Sequence, residues 1–370
     1  MLKRIISVLL ILFSIFQTNA YADSISAQAY VVYHPTTSQV IASKNHHKRL
    51  SMASTTKIMT GLIACSQPDI NKVVTVKSEM LNVEGTSAGL QNGDKISILE
   101  LCYGLLLESG NDAANILAFE IGGSIKEFAK IMNDTAAKIG MADTNFVTPS
   151  GLDASEHYTT AYDMALLAET ALKNETFRKI VSSKTHKAIY NDGNTTRTYS
   201  NHNRLLSMYD GCIGVKTGFT KKSGRCLVSA CNRDGVKMIV VTLNAPNDWN
   251  DHKSLYDNAY SDIKTIEYNH SLPNQIHICG GEKSNIKIST CPFSVDVPAN
   301  YNGKIEAKVY LPVFLYAPVN IGDEIGRVEY FINNKKIGDF PFTAVEKSAI
   351  IKSDVNLFDV FLNNFLRLIV

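Results

Sequence analysis

Strand-forming segments lie on both sides of a helical stretch in the first 268 of the 370 residues. Residues 27–33 and 38–44 predict a β-hairpin, with a Pro-containing turn between its strands. Three more strands are predicted after the helical stretch, and Arg233-Asp234-Gly235 indicates a tight turn between the last two. These strands are residues 213–219, 226–231 and 236–243. We expect both groups to join one antiparallel sheet, which makes this region an α+β domain.

The helical stretch begins with residues 98–107, which are apolar on almost every side and therefore predict a buried helix. Residues 113–121 and 125–139 predict two more helices. Between the first two lies the polar turn formed by residues 108–112. Because buried polar groups need partners, this turn must face either an active-site cleft or bulk solvent.

Residues 269–370 have a different sequence pattern from the rest of the chain. Residues 269–350 consist of short alternating segments separated by Pro, Gly-Asp and Asn-Gly turns, which predicts a small all-β domain without a cluster of reactive side chains. Residues 351–370 form the last segment. From residue 354 they predict an amphipathic helix, with Phe358, Phe361 and Phe365 on one face. This helix either packs on its own domain or lies in a membrane surface, and it is too short and polar to span a bilayer.

The N-terminus resembles a secretory signal over residues 1–22. Lys3 and Arg4 precede an apolar core, and Ala20-Tyr21-Ala22 fits a cleavage site. The alternative is an uncleaved membrane anchor, for which the apolar core is short. We therefore expect an exported chain that begins at Asp23 and acts on the outer side of the cytoplasmic membrane.

Composition excludes several classes of function. The 37 Lys and Arg residues nearly balance the 35 Asp and Glu residues, so no nucleic-acid partner is indicated. The seven cysteines form no C-x-x-C pair, which argues against a zinc or redox site, and we expect neither a metal nor a cofactor. Most of these cysteines lie in apolar runs and predict buried thiols, while pairing of Cys279 with Cys291 stays open.

The clearest candidate for chemistry is Ser54-Thr55-Thr56-Lys57, which precedes an apolar run. Ser54 falls in the first turn of the predicted helix, and Lys57 lies three residues later on the same face. A serine nucleophile needs an adjacent base, and a lysine can serve when burial or a neighbouring cation lowers its pKa. Alone, the pair is a weak signal, and a helix-capping serine followed by an exposed lysine is the favoured interpretation.

Two further stretches strengthen this interpretation. Ser109-Gly110-Asn111 lies in the polar turn between two helices, and Lys216-Thr217-Gly218 lies on a predicted strand. With Ser54-x-x-Lys57 they match, in order and context, the S-x-x-K, S-x-N and K-T-G set of penicillin-sensitive serine acyltransferases. The chain resembles the low-molecular-mass penicillin-binding proteins, the D-alanyl-D-alanine carboxypeptidases, over nearly its whole length. Residues 211–220 and 243–248 are similar to the versions found in Gram-positive members.

The resemblance implies a β-lactamase/DD-peptidase-like catalytic domain over residues 23–268, with a helical subdomain beside its antiparallel sheet. It also implies removal of the terminal D-alanine from peptidoglycan pentapeptides, and covalent inhibition by β-lactams. Ser54 would attack the peptide carbonyl, neutral Lys57 would take its proton, and Ser109 would relay a proton to the leaving amine. From the apolar face of the C-terminal helix we also expect a membrane partner, the outer face of the cytoplasmic membrane.

The same resemblance assigns the substrate-binding groups. Asn111 would bind Lys57 or the substrate backbone, and Lys216 with Thr217 would receive the substrate carboxylate. Gly218 belongs to the same motif, and the backbone N–H of Phe219 would join that of Ser54 in an oxyanion hole. Asp163 and Arg204 match family positions near the site, and the direction in which Arg225 points is open.

Other functions share the same acylation chemistry. A class A β-lactamase would need a glutamate that activates the deacylating water, and Asp153, Glu156 and Asp163 give no clear match. A DD-endopeptidase or transpeptidase would differ only in what surrounds the scissile bond or in the acceptor. A non-catalytic peptidoglycan-binding protein is the third alternative, and the intact Ser54 and Lys57 argue against it.

Overall fold

The computed structural model describes residues 25–351. The predicted signal segment and the predicted C-terminal helix lie outside the described residues. The chain divides into two compact units between Ile263 and Lys264. Within the described residues no helix is both long and apolar enough to cross a bilayer.

The first unit is built around a five-stranded antiparallel sheet that unites the early and late strands, as predicted. Its strand order is β2-β1-β9-β8-β7, so β7 lies at one edge. Two separate two-stranded antiparallel sheets, β3 with β4 and β5 with β6, accompany it. The strands of this unit are β1 (Ala29–His34), β2 (Gln39–Lys44), β3 (Val73–Thr75), β4 (Lys95–Ser97), β5 (Thr185–Tyr190), β6 (Thr195–Ser200), β7 (Cys212–Thr220), β8 (Gly224–Arg233) and β9 (Val236–Leu243).

Helices cover both faces of this sheet. In β1 the side chains of Val31 and Tyr33 join the larger core with the helical subdomain, whereas Tyr30 and Val32 join a second core against the last helix. This alternation follows from the two-residue period of a strand. The helices are α1 (Lys57–Cys65), α2 (Ile98–Leu106), α3 (Asn111–Gly122), α4 (Ile125–Ile139), α5 (Ala161–Ala171), α6 (Glu175–Ser182), α7 (Leu205–Met208) and α8 (Asp248–Ser261).

Local signals explain several helix boundaries. The side chain of Thr160 accepts a hydrogen bond from the Asp163 backbone N–H and so caps α5. Ser97 caps α2 and Ser124 caps α4 in the same way. The α6 helix and strand β5 were not predicted individually, because each is a short segment with several polar residues. Strand β6 lies within residues 194–204, whose polar, β-like sequence predicts extended structure.

The second unit is all-β with its own core, which confirms the predicted fold class. It has a six-stranded sheet in the order β14-β16-β17-β12-β11-β15 and a small sheet of β10 with β13. All seven cysteines lie in the described part of the chain as free thiols, so Cys279 and Cys291 do not pair. The strands are β10 (Ile263–Glu267), β11 (Gln275–Cys279), β12 (Asn285–Ser289), β13 (Ser294–Pro298), β14 (Glu306–Tyr310), β15 (Phe314–Tyr316), β16 (Glu324–Ile332) and β17 (Lys335–Ala344).

Candidate active site

Ser54 lies in a single 3₁₀ turn, Ala53–Thr56, that leads directly into α1. The turn begins with a left-handed residue, Ala53, whose φ is 48°. Such a conformation is uncommon for a residue with a Cβ and requires support from its surroundings. The Lys57 side chain turns back over this turn, and its Nζ lies 2.9 Å from the Ser54 Oγ.

Lys57 is completely buried, and its amine has three polar neighbours. Besides Ser54 Oγ, these are the Asn111 side-chain oxygen at 2.7 Å and the Ser150 carbonyl oxygen at 2.6 Å. Both of these oxygens can only accept hydrogen bonds, so when the amine is neutral they take up its two N–H groups. The nitrogen lone pair is then left for the Ser54 hydroxyl proton. This arrangement suits a general base.

The electrostatic surroundings favour the neutral form of this amine. Burial lowers the pKa of Lys57 well below its usual value, and the positive charge of Lys216 lowers it further. The carboxylate of Asp112 acts in the opposite direction with a smaller effect. Burial also lowers the pKa of Lys216, to about 7. The cleft therefore holds two amines that are deprotonated far more readily than exposed lysines.

The orientation of the Asn111 amide is fixed from its other end. Its Nδ2 donates to the Glu84 carbonyl oxygen at 2.6 Å, which directs the side-chain oxygen to Lys57. The next residue, Asp112, holds the preceding loop by accepting hydrogen bonds from the Ser87 hydroxyl and from backbone N–H groups at residues 88–90. The polar turn predicted from sequence thus contributes to the cleft at Ser109 and anchors a loop behind it.

The Ser150 carbonyl is positioned by a loop that the sequence did not mark as functional. Gly151 has a φ of 88°, and any Cβ there would collide with the Ala53 carbonyl oxygen. His157 connects the same loop to the turn of the nucleophile. Its Nδ1 accepts from the Val147 N–H at 2.9 Å, so Nε2 carries the proton that is donated to Thr56 Oγ1 at 2.8 Å. Burial lowers the pKa of His157 to about 4, which keeps the ring neutral.

The third motif lies on β7 and runs beside the nucleophile turn. Lys216 is buried, Thr217 is half-buried, and Phe219 is 65% exposed. The backbone at Gly218 packs directly on the turn that carries Ser54. The fold therefore brings all three predicted motifs together around one cleft.

This cleft has a volume of about 590 Å³. Ser109 lies in its wall in a left-handed conformation, with a φ of 62°. The positive side chains of Arg204 and Arg225 in the lining and the polar character of the cleft suit an anionic, peptide-like ligand. The lining consists of Ser54, Thr86, Ser109, His202, Arg204, Thr217, Gly218, Phe219, Arg225, Pro246, Asn247, Asp248 and Trp249.

The sequence left open the role or orientation of Arg204, Arg225 and Asp163, and only the two arginines line the cleft. Arg204 lies in the cleft wall. Arg225 also faces the cleft, where it forms an ion pair of 3.0 Å with Asp248 and lies over the Trp249 ring. Asp163 lies outside the cleft lining and accepts hydrogen bonds from the Asp143 N–H and the Thr144 hydroxyl. In this structure Asp163 therefore supports a loop.

Sequence reasoning missed Ser150, His157 and Trp249. Only a weak signal was available, namely a Ser-Gly pair in a predicted loop and a single tryptophan after a strand.

Within residues 25–351 no cluster of His, Cys, Asp or Glu has the arrangement needed to hold a metal ion.

Comparison with known proteins agrees with the geometry. Residues 16–247 match the family model described as D-alanyl-D-alanine carboxypeptidase, and residues 260–349 match the model of the penicillin-binding protein 5 C-terminal domain. The chain is 28% identical over 370 residues to the D-alanyl-D-alanine carboxypeptidase DacF of Bacillus subtilis (strain 168), with coverage of 93% of this chain and 94% of that protein.

Solved structures show the same similarity. The structure of penicillin binding protein 5 from Haemophilus influenzae gives a TM-score of 0.63 at 25% identity, covering 88% of this chain and 98% of that one. The Streptomyces K15 DD-transpeptidase gives a TM-score of 0.61 at 31% identity, covering 64% of this chain and 98% of that one. The chain therefore belongs to the D-alanyl-D-alanine carboxypeptidase family of serine-type hydrolases.

Proposed function

We propose how this chain carries out the D-alanyl-D-alanine carboxypeptidase reaction of its family. Ser54 is the nucleophile, and Lys57 is the base that activates it. The observation that carries this assignment is the environment of Lys57 Nζ, which has two carbonyl acceptors and the Ser54 hydroxyl 2.9 Å away. A protonated amine would lack a lone pair for that hydroxyl.

In the acylation step Ser54 Oγ bonds to the carbonyl carbon of the penultimate D-alanine while its proton passes to Lys57. The C–N bond to the terminal D-alanine then breaks. The leaving amine takes up the proton, relayed by Ser109, which lies in the same cleft wall. Water hydrolyses the resulting ester, and Ser54 regains its proton. The products are free D-alanine and a shortened stem peptide.

The tetrahedral intermediate needs donors for its oxyanion. We assign these to the backbone N–H groups of Ser54 and Phe219, with about 10²–10³ in rate for each donor. The close packing of Gly218 on the nucleophile turn supports this pairing, because it brings the two backbones side by side. Lys216 and Thr217 receive the substrate's terminal carboxylate, and Asn111 orients Lys57.

A β-lactam would acylate Ser54 in the same way and remain attached. Class A β-lactamases remove this adduct with a glutamate-activated water. Among the described residues that line the cleft, only Asp248 has a carboxylate, and Arg225 already pairs with it. This supports slow deacylation, and therefore inhibition by penicillin.

Peptidoglycan lies outside the cytoplasmic membrane, so this activity implies an extracytoplasmic location. We further propose that residues 1–22 are a cleaved signal, that residues 23–268 and 269–350 are the two folded domains, and that residues 351–370 hold the protein on the outer face of the membrane. Deletion of residues 354–370 tests the last point. The mature protein should leave the membrane fraction and keep its activity, and an unchanged membrane fraction would contradict the anchor.

The decisive experiment follows the mature chain with benzylpenicillin by intact-mass spectrometry over time, in parallel with D-alanine release from a peptide ending in D-Ala-D-Ala. We expect a long-lived adduct on Ser54 together with D-alanine release. Ser54→Ala should abolish both signals, whereas Ser51→Ala, a control three residues away, should retain them. Rapid loss of the adduct with accumulation of penicilloate would identify a β-lactamase, and absence of both signals in the unmodified chain would contradict the proposal.

A further inference from the structure

Two cysteines face each other across the edge of the main sheet. Cys212 begins β7, and Cys231 is its direct partner on β8. Directly opposed residues of an antiparallel pair have Cα atoms about 4.5 or 5.5 Å apart, depending on the type of pair. Both separations lie within the range that a disulfide bridges. The two side chains are close enough for a thiol–thiol hydrogen bond.

The two thiols differ in exposure and in the direction of their pKa shifts. Cys212 is half-buried and keeps part of its surface in contact with solvent, whereas Cys231 is fully buried. The hydrogen bond from Cys231 lowers the pKa of Cys212, and burial raises the pKa of Cys231. An accessible thiol of lowered pKa beside a shielded thiol gives an attacking and a resolving cysteine.

A second pair of thiols in the same chain provides a contrast. Cys65 on α1 and Cys102 on α2 are also joined by a hydrogen bond, but both are buried in the larger core. The pKa of Cys102 is raised well above its usual value. A hydrogen bond joins the two thiols in each pair, but only in the Cys212–Cys231 pair is one thiol partly exposed and its pKa lowered.

We propose that Cys212 and Cys231 form a redox-sensitive site that reacts with small disulfides such as oxidised glutathione. The Cys212 thiolate attacks one sulfur of the oxidant, forms a mixed disulfide and releases one reduced thiol. Cys231 then loses its proton and attacks the Cys212 sulfur, which releases the second reduced thiol. The chain loses two protons and two electrons, and the oxidant gains both as it becomes two reduced thiols.

The position of this site connects it to the cleft. Lys216 and Thr217 follow Cys212 on the same strand, which lies at the open edge of the sheet. The cross-link would tie this edge strand to β8 at the end remote from Phe219. It closes the β7–β8 hairpin covalently, which restricts the unfolded chain.

The test uses the full chain, first reduced and then equilibrated with mixtures of oxidised and reduced glutathione. Free thiols are alkylated after an acid quench, and peptides are mapped without reduction. We expect a peptide pair linked through Cys212 and Cys231, formed at a lower proportion of oxidised glutathione than any link of Cys65 to Cys102. The thermal midpoint reported by the fluorescence of Trp249 should rise by about 5 °C on oxidation and return after reduction.

Variants separate the two steps. Cys231→Ala should accumulate a stable glutathione adduct at Cys212, because the resolving thiol is missing, whereas Cys212→Ser should prevent both adduct and link. Cys291→Ser changes an exposed cysteine of the second unit and should leave the link intact. Two results would overturn the proposal. One is alkylation of both Cys212 and Cys231 at a ratio of oxidised to reduced glutathione at which Cys291 already carries glutathione. The other is a disulfide from Cys212 to any other cysteine. Neither result depends on whether Ser54 reacts with penicillin.

Discussion

Gly218 lies so close to Ser54 that a Cβ on residue 218 would stand 3.0 Å from the Ser54 backbone nitrogen. The same Cβ would lie 3.0 Å from the Thr55 nitrogen and 3.1 Å from the Met52 carbonyl oxygen. All three are backbone atoms, which cannot swing aside as a flexible side chain can. The nucleophile turn and the edge strand therefore approach each other through a glycine.

Substitution of this glycine should separate the two backbones. Gly218→Val should reduce the second-order rate of acylation by benzylpenicillin at least about 100-fold, the loss typical of one misplaced oxyanion donor. Gly218→Ala should show a smaller loss. Stopped-flow measurement of acylation tests this, with Trp249 fluorescence to verify folding. A folded Gly218→Val variant that is acylated at the normal rate would contradict the assigned oxyanion hole.

The neutral state of Lys57 can be tested through Asn111. Asn111→Asp places a carboxylate where a neutral oxygen now lies 2.7 Å from the amine, so it should raise the pKa of Lys57. Acylation should be slow near neutral pH and recover as pH rises, because only the deprotonated amine can act as base. Asn111→Leu removes the same acceptor without adding charge. The acidic limb of its pH–rate profile for acylation should therefore not move to higher pH. Identical pH–rate profiles for the two variants would argue against Lys57 as the base.

His157 should act as a positioning residue, because it links Thr56 to the loop that presents the Ser150 carbonyl. His157→Phe removes both hydrogen bonds at 2.8 and 2.9 Å, and acylation should fall by about 10- to 100-fold through misplacement of the base. His157→Gln can still donate one hydrogen bond and should recover part of the rate. Glu156→Gln alters an exposed neighbour and provides the control. If His157→Phe loses only stability and keeps its acylation rate and pH profile, the positioning role is wrong.

Burial of Lys216 should make the stability of the catalytic unit depend on pH. The unfolded lysine holds its proton up to about pH 10.4, whereas the folded pKa is about 7. Between these values the unfolded state binds more protons, so the free energy of unfolding should rise with pH by about 1.4 kcal/mol per unit. Below about pH 7 the folded protein carries the full free-energy cost of burying the protonated Lys216 amine.

Urea unfolding followed through Trp249 measures this effect, since the chain has a single tryptophan and it lies in the cleft of the first unit. Lys216→Met should be more stable than the unmodified protein at pH 7 and should lose this part of the pH slope. Equal slopes in the two proteins between pH 7 and 10 would show that Lys216 is not the titrating group.

The sequence predicted the three motifs, the antiparallel sheet and the all-β unit because each leaves a local pattern. Ser54 and Lys57 are neighbours on one turn, and the apolar run after them identifies a buried helix. Ser150 contributes only a backbone carbonyl, which any residue type has, and so no sequence pattern reveals it. His157 is separated from Thr56 by a hundred residues of chain, and its importance arises only when α1 and the loop pack together.

The anchoring of residues 87–90 by Asp112 has a consequence for how this protein tolerates insertions. The Glu84 carbonyl that orients Asn111 belongs to the same loop, so the length of that loop determines which way the amide of Asn111 points. Surface loops usually accept extra residues with little effect. Here one added residue between positions 84 and 87 would move the Glu84 carbonyl and turn the Asn111 side-chain oxygen away from Lys57. A change in the length of this loop would therefore change the basicity of the Lys57 amine.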